Sequence, residues 1–159
     1  MPDSIVTAEM QAMVDREVDE GVAEVTSTSC RAFARAVGHT DPIFFDAEAA
    51  RARGYRNIVA PPGHLGVPVS QRGPGAMVAI PRPVAEMRIP YKRILDGGTS
   101  YEYLEPLVAG DVVTSHSRIT RFEERLGSIG PMLITYHETA YRRQDGTLVA
   151  KMYGNVIHY

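Results

Sequence analysis

Two side chains capable of acid–base chemistry stand close together in the first half of the chain. His39 and Asp41 are two positions apart in a loop that Pro42 keeps out of helical geometry. An imidazole exchanges protons near neutral pH, and a carboxylate beside it could orient or charge it, so the pair could act as acid and base. The residues also fit a role without catalysis, in which Asp41 caps a turn and His39 faces solvent. Both interpretations stay open.

A second chemical feature follows two consecutive prolines at positions 61 and 62. Their rigid backbone predicts that the amides of Gly63 and His64 point outward from the start of a third helix, which runs to about Ser70. Free amides at a helix start suit developing negative charge on a carbonyl oxygen. Gly63 is therefore a candidate donor, or a glycine required only by backbone shape. His64 could face the same pocket or merely begin the helix.

The elements that position these residues are predicted to be mainly helical in the first half of the chain. Thr7 can cap a peripheral N-terminal helix over residues 1–20. Thr28 or Ser29 can cap a helix that Gly38 ends, and Asp46 can cap a helix that ends at Gly54. The predicted elements after the first helix are a strand at 22–28 and helices at 31–37 and 47–53.

The second half of the chain changes to a period of two, which is typical of strands. An Asp-Gly pair at 145–146 tolerates the positive φ that a tight hairpin requires. Helices followed by antiparallel strands predict an α+β fold, with one curved sheet and helical material on its concave face, in a single domain over 1–159. The predicted strands are 84–91, 99–105, 112–122, 132–143 and 148–158, with breaks at 96–98, 109–111, 126–127 and 145–146.

Composition excludes several functional classes. The chain has 159 residues and a net charge of -2, with basic residues scattered rather than striped, which argues against nucleic-acid binding. It has neither a long apolar window nor an N-terminal leader, so we expect no membrane association. Cys30 is the single cysteine, which is compatible with the cytoplasm. No Cys or His spacing resembles a metal site, so no metal is expected.

Five segments together carry a family resemblance. Residues 33–65, 95–98 (LDGG), 106–113 (PLVAGDVV), 130–132 (GPM) and 144–146 (QDG) resemble a MaoC-like hot-dog domain, and most closely the fatty-acid-synthase-type dehydratase domains. The resemblance implies a long central helix wrapped by a curved antiparallel sheet, and dimerisation into a double hot dog. It also implies acyl thioesters of coenzyme A or acyl carrier protein as ligands, with no separate cofactor.

The chain departs from the family at the reactive positions. Active relatives have roughly G-D-x-N-P-[I/L]-H-x-D, in which the Asp and the His handle a water and the proton alpha to the thioester. In this chain, residues 38–46 place His39 at the Asp position, Asp41 at the Asn position and Phe44 at the His position. Phenylalanine cannot transfer a proton, so the usual dyad is absent.

Other site residues also follow from the resemblance. Gly63 matches the glycine whose amide donates to the thioester carbonyl in relatives. Tyr55 and Asn57 lie on the connection that approaches the acyl channel, and either could contact the ligand. Phe44 and Phe45 are expected to fill the core or the channel wall, which would shape a cavity for an acyl chain.

Two functions from different classes remain open. The first is a hydratase or dehydratase of 2-enoyl or 3-hydroxyacyl thioesters, with Gly63 as donor and either His39 with Asp41 or another group as acid and base. The second is a non-catalytic subunit that forms the acyl channel of a heteromeric dehydratase, whose partner carries the intact dyad. A self-contained acyl-thioester binder is a third option. A homodimer or a heterodimer with another hot-dog chain is expected, because a lone sheet edge would stay unpaired.

Overall fold

The computed structural model of the protein describes residues 4–66, 82–85 and 87–159. Within those ranges the chain forms short helices followed by long strands, as the α+β prediction required. The helices are α1 (Ala8–Gln11), α2 (Ser27–Ala36), α3 (Ala47–Ala52) and α4 (Arg82–Ala85), with 3-10 turns at Pro42–Phe44 and His64–Gly66. The strands are β1 (Val18–Glu24), β2 (Ile94–Tyr103), β3 (Val112–Gly127), β4 (Gly130–Arg143) and β5 (Leu148–His158).

The five strands form one antiparallel sheet in the order β1-β3-β4-β5-β2. Hairpins join β3 to β4 and β4 to β5, whereas β2 reaches the far edge beside β5. A bulge in β3 between Ile119 and Arg121, and another in β2 between Asp96 and Gly98, shift the register. Bulges bend a strand and increase its twist, which favours a curved sheet.

The main core lies between one face of the sheet and the segments that carry the helices. Val113, Tyr141 and Val149 come from the sheet, whereas Cys30 comes from α2 and Ile58 from the chain after α3. Alternate residues of β4 from 133 to 141 are buried, as the period of two predicted. Burial raises the pKa of Cys30 to about 11, so this thiol is a core residue rather than a nucleophile.

Helix α2 starts earlier than predicted. Thr26, rather than Thr28 or Ser29, is the N-cap: its hydroxyl accepts from the Ser29 amide at 3.0 Å, and the Ser29 hydroxyl accepts from the Thr26 amide at 3.1 Å. This reciprocal capping box satisfies two amides that a helix start otherwise leaves unpaired. Gly38 ends the segment with φ +77°, as predicted.

Helix α3 agrees closely with its prediction. The Asp46 carboxylate accepts from the Glu48 amide at 2.7 Å, and Gly54 follows the helix with φ +87°. Strand β5 coincides with the predicted strand at 148–158, and the hairpin before it contains Gly146 with φ +86°.

The N-terminal prediction was wrong in extent. Thr7 caps α1 as expected, but the helix ends at Gln11 rather than continuing through residue 20. Asp15 has φ +61°, which reverses the chain, and β1 then begins at Val18 instead of position 22. The apolar spacing that suggested one helix is divided between a helical turn and an edge strand.

The predicted strand at 84–91 was also wrong. Residues 82–85 form α4, and the described chain after it is irregular until β2. Val84 and Met87 lie three positions apart, which is a helical spacing. Both residues pack in one cluster with Ile119 and Val156. Prolines at 83 and 90 also cannot donate to a strand ladder.

Three further differences concern the segments beside the site. The break predicted at 96–98 is a bulge inside β2 rather than its boundary. The third predicted helix is a 3-10 turn at His64–Gly66, and its continuation to Ser70 lies outside the described residues. The longest described helix is α2, with 10 residues. None of the helices in the described ranges meets the length and apolarity that crossing a membrane requires.

Candidate functional site

A cavity of about 360 Å³ lies between the 3-10 turn at Pro42–Phe44, the chain after α3, and the end of β2. This volume is within the range of small-molecule sites in proteins. Most of its lining is apolar. The wall includes Ile43, Phe44, Tyr55, Val59, Leu104 and Leu107. Phe44 and Tyr55, two residues predicted to contact a ligand, therefore do line a cavity.

Backbone hydrogen bonds hold the walls of this cavity together. The amide of Val59 donates to the carbonyl of Ile43 at 3.0 Å, and the amide of Ala60 donates to the carbonyl of Leu107 at 2.8 Å. The segment after α3 is thus tied on one side to the loop that carries Phe44 and on the other to the loop after β2. Three distant parts of the sequence become one wall.

Asn57 belongs to this framework rather than to the cavity surface. Its side-chain amide donates to the carbonyl of Ala109 at 3.0 Å, while its side-chain oxygen accepts from the amide of Ile58 at 2.9 Å. Asn57 is absent from the cavity lining. The structure therefore places this predicted ligand contact behind the wall, where its polar atoms position the backbone.

Asp111 fixes the same wall, although the sequence analysis assigned it no role. Its buried carboxylate accepts from the amide of Val108 at 3.0 Å and from Nη2 of Arg56 at 2.8 and 3.1 Å. The Arg56 side chain is 61% exposed, whereas that of Asp111 is fully buried. Two acceptor oxygens thus close the turn at 108–111. The sequence feature that could have indicated this role is an Asp inside an otherwise apolar PLVAGDVV segment.

The amides predicted to be free after the two prolines are both paired, because the His64 amide donates to the carbonyl of Pro61 at 3.0 Å and the Gly63 amide also has an acceptor. The φ of Gly63 is +90°, a region that favours glycine, and a Cβ there would approach Cζ of Phe33 to 3.1 Å. Its amide donates to the hydroxyl of Tyr103 at 2.6 Å. The candidate carbonyl donor therefore already has an acceptor. Gly63 does not line the cavity, but Tyr103 does.

Tyr103 is a site residue that the sequence analysis missed. It stands at the end of β2 on the same face as Tyr101, and the two rings stack with centroids 5.8 Å apart. Burial raises the pKa of Tyr103, so its hydroxyl stays protonated at neutral pH. The hydroxyl accepts from Gly63 and keeps its own proton for donation. The sequence feature that could have indicated Tyr103 is the alternation of tyrosines in the predicted strand at 99–105.

His64 is held inside the protein beside the cavity. It is 1% exposed, its Nε2 lies 2.9 Å from the Ser29 hydroxyl, and its ring packs edge-on against Phe33. Its Nδ1 is buried with no hydrogen-bond partner in the described part of the chain. Burial lowers the pKa of His64, which favours the neutral imidazole. His64 thus lines the pocket, which is one of the two alternatives that the sequence left open, and it also anchors the chain to α2.

The structure does not join His39 and Asp41 into an acid–base pair. Asp41 caps the turn at Pro42–Phe44 by accepting from the Ile43 amide at 3.1 Å, and it forms an ion pair with Arg53 at 2.7 Å. These contacts lower the pKa of Asp41, with the backbone hydrogen bond as the larger cause. The His39 ring packs against Phe44, with centroids 4.9 Å apart. No hydrogen bond in the described ranges links the two residues, and neither lines the cavity.

The described residues contain no group of three or more His, Cys, Asp and Glu side chains that could hold a metal ion. Among the described residues, the side chains with polar groups that line the cavity are Tyr55, His64, Tyr103 and Glu105. An apolar space with a protonated phenol and a neutral imidazole can bind an uncharged carbon chain that carries one carbonyl group. Within the described ranges, no hydrogen bond joins the Glu105 carboxylate to His64 or to Tyr103, so these groups do not form a hydrogen-bonded acid–base pair.

Comparison with known proteins agrees with this architecture. A family profile described as "FAS1-like, dehydratase domain region" matches residues 12–152. The UPF0336 protein of Streptomyces griseus is 35% identical over 105 residues, which are 66% of this chain and 67% of that protein. The UPF0336 protein of Thermobifida fusca is 33% identical over 105 residues, covering 66% of each chain. The matched stretch thus spans about two thirds of these relatives.

Solved structures show the same fold at low sequence identity. A chain of the truncated HadBC (3R-hydroxyacyl-ACP dehydratase) complex from Mycobacterium tuberculosis has a TM-score of 0.71 at 22% identity, covering 91% of this chain and 96% of that chain. A chain of the ChsH1-ChsH2 complex from the same organism has a TM-score of 0.75 at 20% identity, covering 96% and 97%. A MaoC-like dehydratase has a TM-score of 0.75 at 23% identity, covering 93% and 42%.

Proposed function

Because the chain belongs to the FAS1-like dehydratase family, with the MaoC-like hot-dog fold that its sequence resembles, we propose that it is an acyl-binding subunit of a heteromeric hydratase or dehydratase. It binds the acyl part of a 2-enoyl or 3-hydroxyacyl thioester of coenzyme A or acyl carrier protein. A second hot-dog chain supplies the acid and the base. In this proposal His39 and Asp41 do not transfer protons.

The observation that carries this proposal concerns the loop at 38–46, where active relatives have their Asp and His. The one carboxylate in the 38–42 segment, Asp41, is engaged with Arg53 and the Ile43 amide, and Phe44 occupies the position of the family histidine beside an apolar cavity. Phenylalanine adds apolar surface and removes a proton carrier. Phenylalanine in place of histidine therefore removes proton transfer and adds apolar surface for an acyl chain.

The free edge of the sheet supports a second subunit. Strand β2 lies at one end of the sheet, and its Ile94 and Leu95 are about half exposed, at 47% and 53%. An exposed apolar edge strand is a liability unless another strand or element covers it. HadBC and ChsH1-ChsH2 are both named as complexes, and each contains a chain similar in fold to this one, which makes a hot-dog partner a consistent choice.

Tyr103 and Gly63 define how this chain would orient the thioester. The Gly63 amide donates to the Tyr103 hydroxyl, and this bond strengthens the hydroxyl as a donor in turn, because hydrogen bonds in a chain polarise one another. The Tyr103 proton is directed to a carbonyl oxygen in the cavity. Ile43, Phe44 and Leu107 exclude water from the carbon chain.

The experiment that tests the proposal measures hydration of crotonyl-CoA by loss of the enoyl absorbance. The purified chain alone is expected to show no turnover above background. Turnover is expected after mixing with a hot-dog protein that carries the intact Asp and His of the G-D-x-N-P-[I/L]-H frame. Phe44→Asp should lower turnover of the mixture, because it introduces a charge into the apolar wall.

Variants of the polar pair separate this proposal from catalysis by the chain itself. His39→Ala and Asp41→Asn are expected to leave turnover of the mixture within about threefold of the unaltered chain, because in this proposal neither side chain contacts the reacting atoms. Turnover by the chain alone that is lost in both variants would reject the subunit proposal and establish His39 and Asp41 as the acid–base pair.

A further inference from the structure

A second cavity, of about 350 Å³, lies at the opposite end of β2. It is formed by α4, by the irregular chain that follows it, and by the end of β5 at His158. The two cavities share no lining residue among those that the structure describes. Ile94 lines the second cavity and Tyr103 the first, and nine residues of extended strand separate them by roughly 30 Å. The second cavity is therefore a separate space.

Two buried polar atoms at this cavity have no partner. His158 is 8% exposed, and its Nδ1 is buried without a hydrogen bond in the described part of the chain. The hydroxyl of Tyr91 is likewise buried and unpaired, and both residues line the cavity. Buried polar atoms in native proteins nearly always have a partner. A phenol hydroxyl can donate, and Nδ1 of a neutral imidazole donates in one of its two tautomers, so a ligand that accepts hydrogen bonds can satisfy both atoms.

Charge and apolar surface define the ligand further. Lys92 and Arg93 line the cavity, and their side chains form no ion pair with any described residue. Burial lowers the pKa of His158, so the positive charge at this cavity belongs to Lys92 and Arg93. Met87 and Ile89 supply apolar wall. A site with cations, buried donors and an apolar wall suits an anionic head on a short carbon chain.

We propose that this second cavity binds a small amphipathic carboxylate. The carboxylate accepts from the Tyr91 hydroxyl and from the His158 imidazole, and it lies beside Lys92 and Arg93. The carbon chain packs against Met87 and its apolar neighbours. A carboxylate fits better than a phosphate dianion, because a buried double charge costs more desolvation than two exposed cations can offset. This site does not depend on the acyl-subunit function.

Histidine NMR distinguishes the two cavities, because each contains one histidine. The protein is labelled with ¹³C at Cε1 of its histidines, and the signals of His64 and His158 are assigned with His64→Gln and His158→Gln. Decanoate is then titrated into the unaltered protein. We expect a saturable shift of the His158 signal. The His64 signal reports separately on the first cavity, and a change in it does not affect this test. Decanol, which lacks the charge, is expected to bind at least tenfold more weakly at His158.

Variants localise the contacts. Tyr91→Phe removes a hydroxyl that has no partner to lose, so the fold is retained, and decanoate affinity at the His158 signal is expected to fall about tenfold. The double variant Lys92→Gln, Arg93→Gln is expected to weaken binding about threefold and to reduce its salt dependence. Arg88→Gln is the matched control, because Arg88 is an exposed cation outside the lining, and it should leave affinity unchanged.

Three results would overturn the proposal. The His158 signal could fail to move with decanoate, which would mean that the cavity holds only water. Decanol could bind as tightly as decanoate, which would exclude recognition of the carboxylate. Decanoate affinity could be unchanged in Tyr91→Phe, which would remove the assigned donor. None of these outcomes bears on crotonyl-CoA turnover, so the acyl-subunit function is judged separately.

Discussion

Replacing Tyr103 by phenylalanine tests whether its hydroxyl presents a hydrogen bond to the acyl thioester. The ring remains and keeps its stacking on Tyr101, whereas the oxygen that accepts from the Gly63 amide is removed. Only one donor to the ligand is lost. The variant therefore isolates the polar contact from the apolar cavity.

The expected magnitude follows from the contacts of that hydroxyl. A hydrogen bond contributes about 0.5–1.5 kcal/mol net, and polarisation by the Gly63 amide places this one toward the upper end. A loss of about 1–1.4 kcal/mol is a five- to tenfold rise in Kd for the thioester. Protein stability should fall by less than about 1 kcal/mol, because the half-buried Gly63 amide can bond water instead.

The assay compares two ligands that differ by one oxygen. Octanoyl-CoA has a thioester carbonyl, and S-octyl-CoA has the same chain length on a thioether without it. Calorimetric titration of both ligands into the unaltered protein and into Tyr103→Phe gives four affinities. The coupling between the Tyr103 hydroxyl and the carbonyl oxygen is then the double difference. We expect a five- to tenfold effect on octanoyl-CoA and none on S-octyl-CoA.

The control is Tyr101→Phe, which removes a neighbouring phenol from the same strand face without touching Gly63. Tyr101 packs against Tyr103 and Tyr141 and does not line the cavity, so this change should leave the affinities of both ligands unaltered. An equal loss for octanoyl-CoA and S-octyl-CoA in Tyr103→Phe would refute the reasoning. It would show that the tyrosine supports the shape of the cavity and not its polarity.

Two further predictions concern stability, both measured by urea unfolding. Asp111→Ala should cost about 2–3 kcal/mol, because it leaves the buried Val108 amide unpaired. Arg56→Lys should cost less than about 1 kcal/mol, because it keeps a mostly exposed cation beside the buried Asp111 carboxylate; equal losses would contradict this order. Because burial depresses the pKa of His64 below its usual 6.5, its contribution to stability is fully present above pH 6.5 and is lost as pH falls through the folded pKa. The decline is at most ~1.4 kcal/mol per pH unit, and His64→Gln should make it shallower; an unchanged decline would contradict the assignment.

Strands and caps were the most predictable parts of the fold. Strand β5 and helix α3 follow from period-two alternation, from the Asp46 cap and from Gly54, all of which are local signals. The strand predicted at 84–91 was wrong, because the alternation of apolar residues there competes with a helical spacing of the same residues. Packing of Val84 against Ile119 and Val156 decided the outcome, and those residues are far away in sequence.

The sequence indicated some of the residues that line the candidate cavity but not its polar contacts. The family frame directed attention to residues 38–46 and to Gly63, and Phe44, Tyr55 and His64 do line one cavity. The sequence gives no sign that Tyr103, forty positions later, accepts from the Gly63 amide. A contact between a loop and an edge strand depends on sheet order, which sequence periodicity does not specify.

The sequence by itself determined the class of fold, the caps of α1 and α3 and the loss of the proton-transferring histidine, because propensity, capping and side-chain chemistry are properties of a residue and its near neighbours. Tertiary structure alone decided which amide meets which hydroxyl. It turned Asp41 toward Arg53, placed Tyr103 over Gly63 and left Nδ1 of His158 unpaired. Those outcomes depend on the curvature and strand order of the sheet, which bring residues from distant segments within hydrogen-bonding distance.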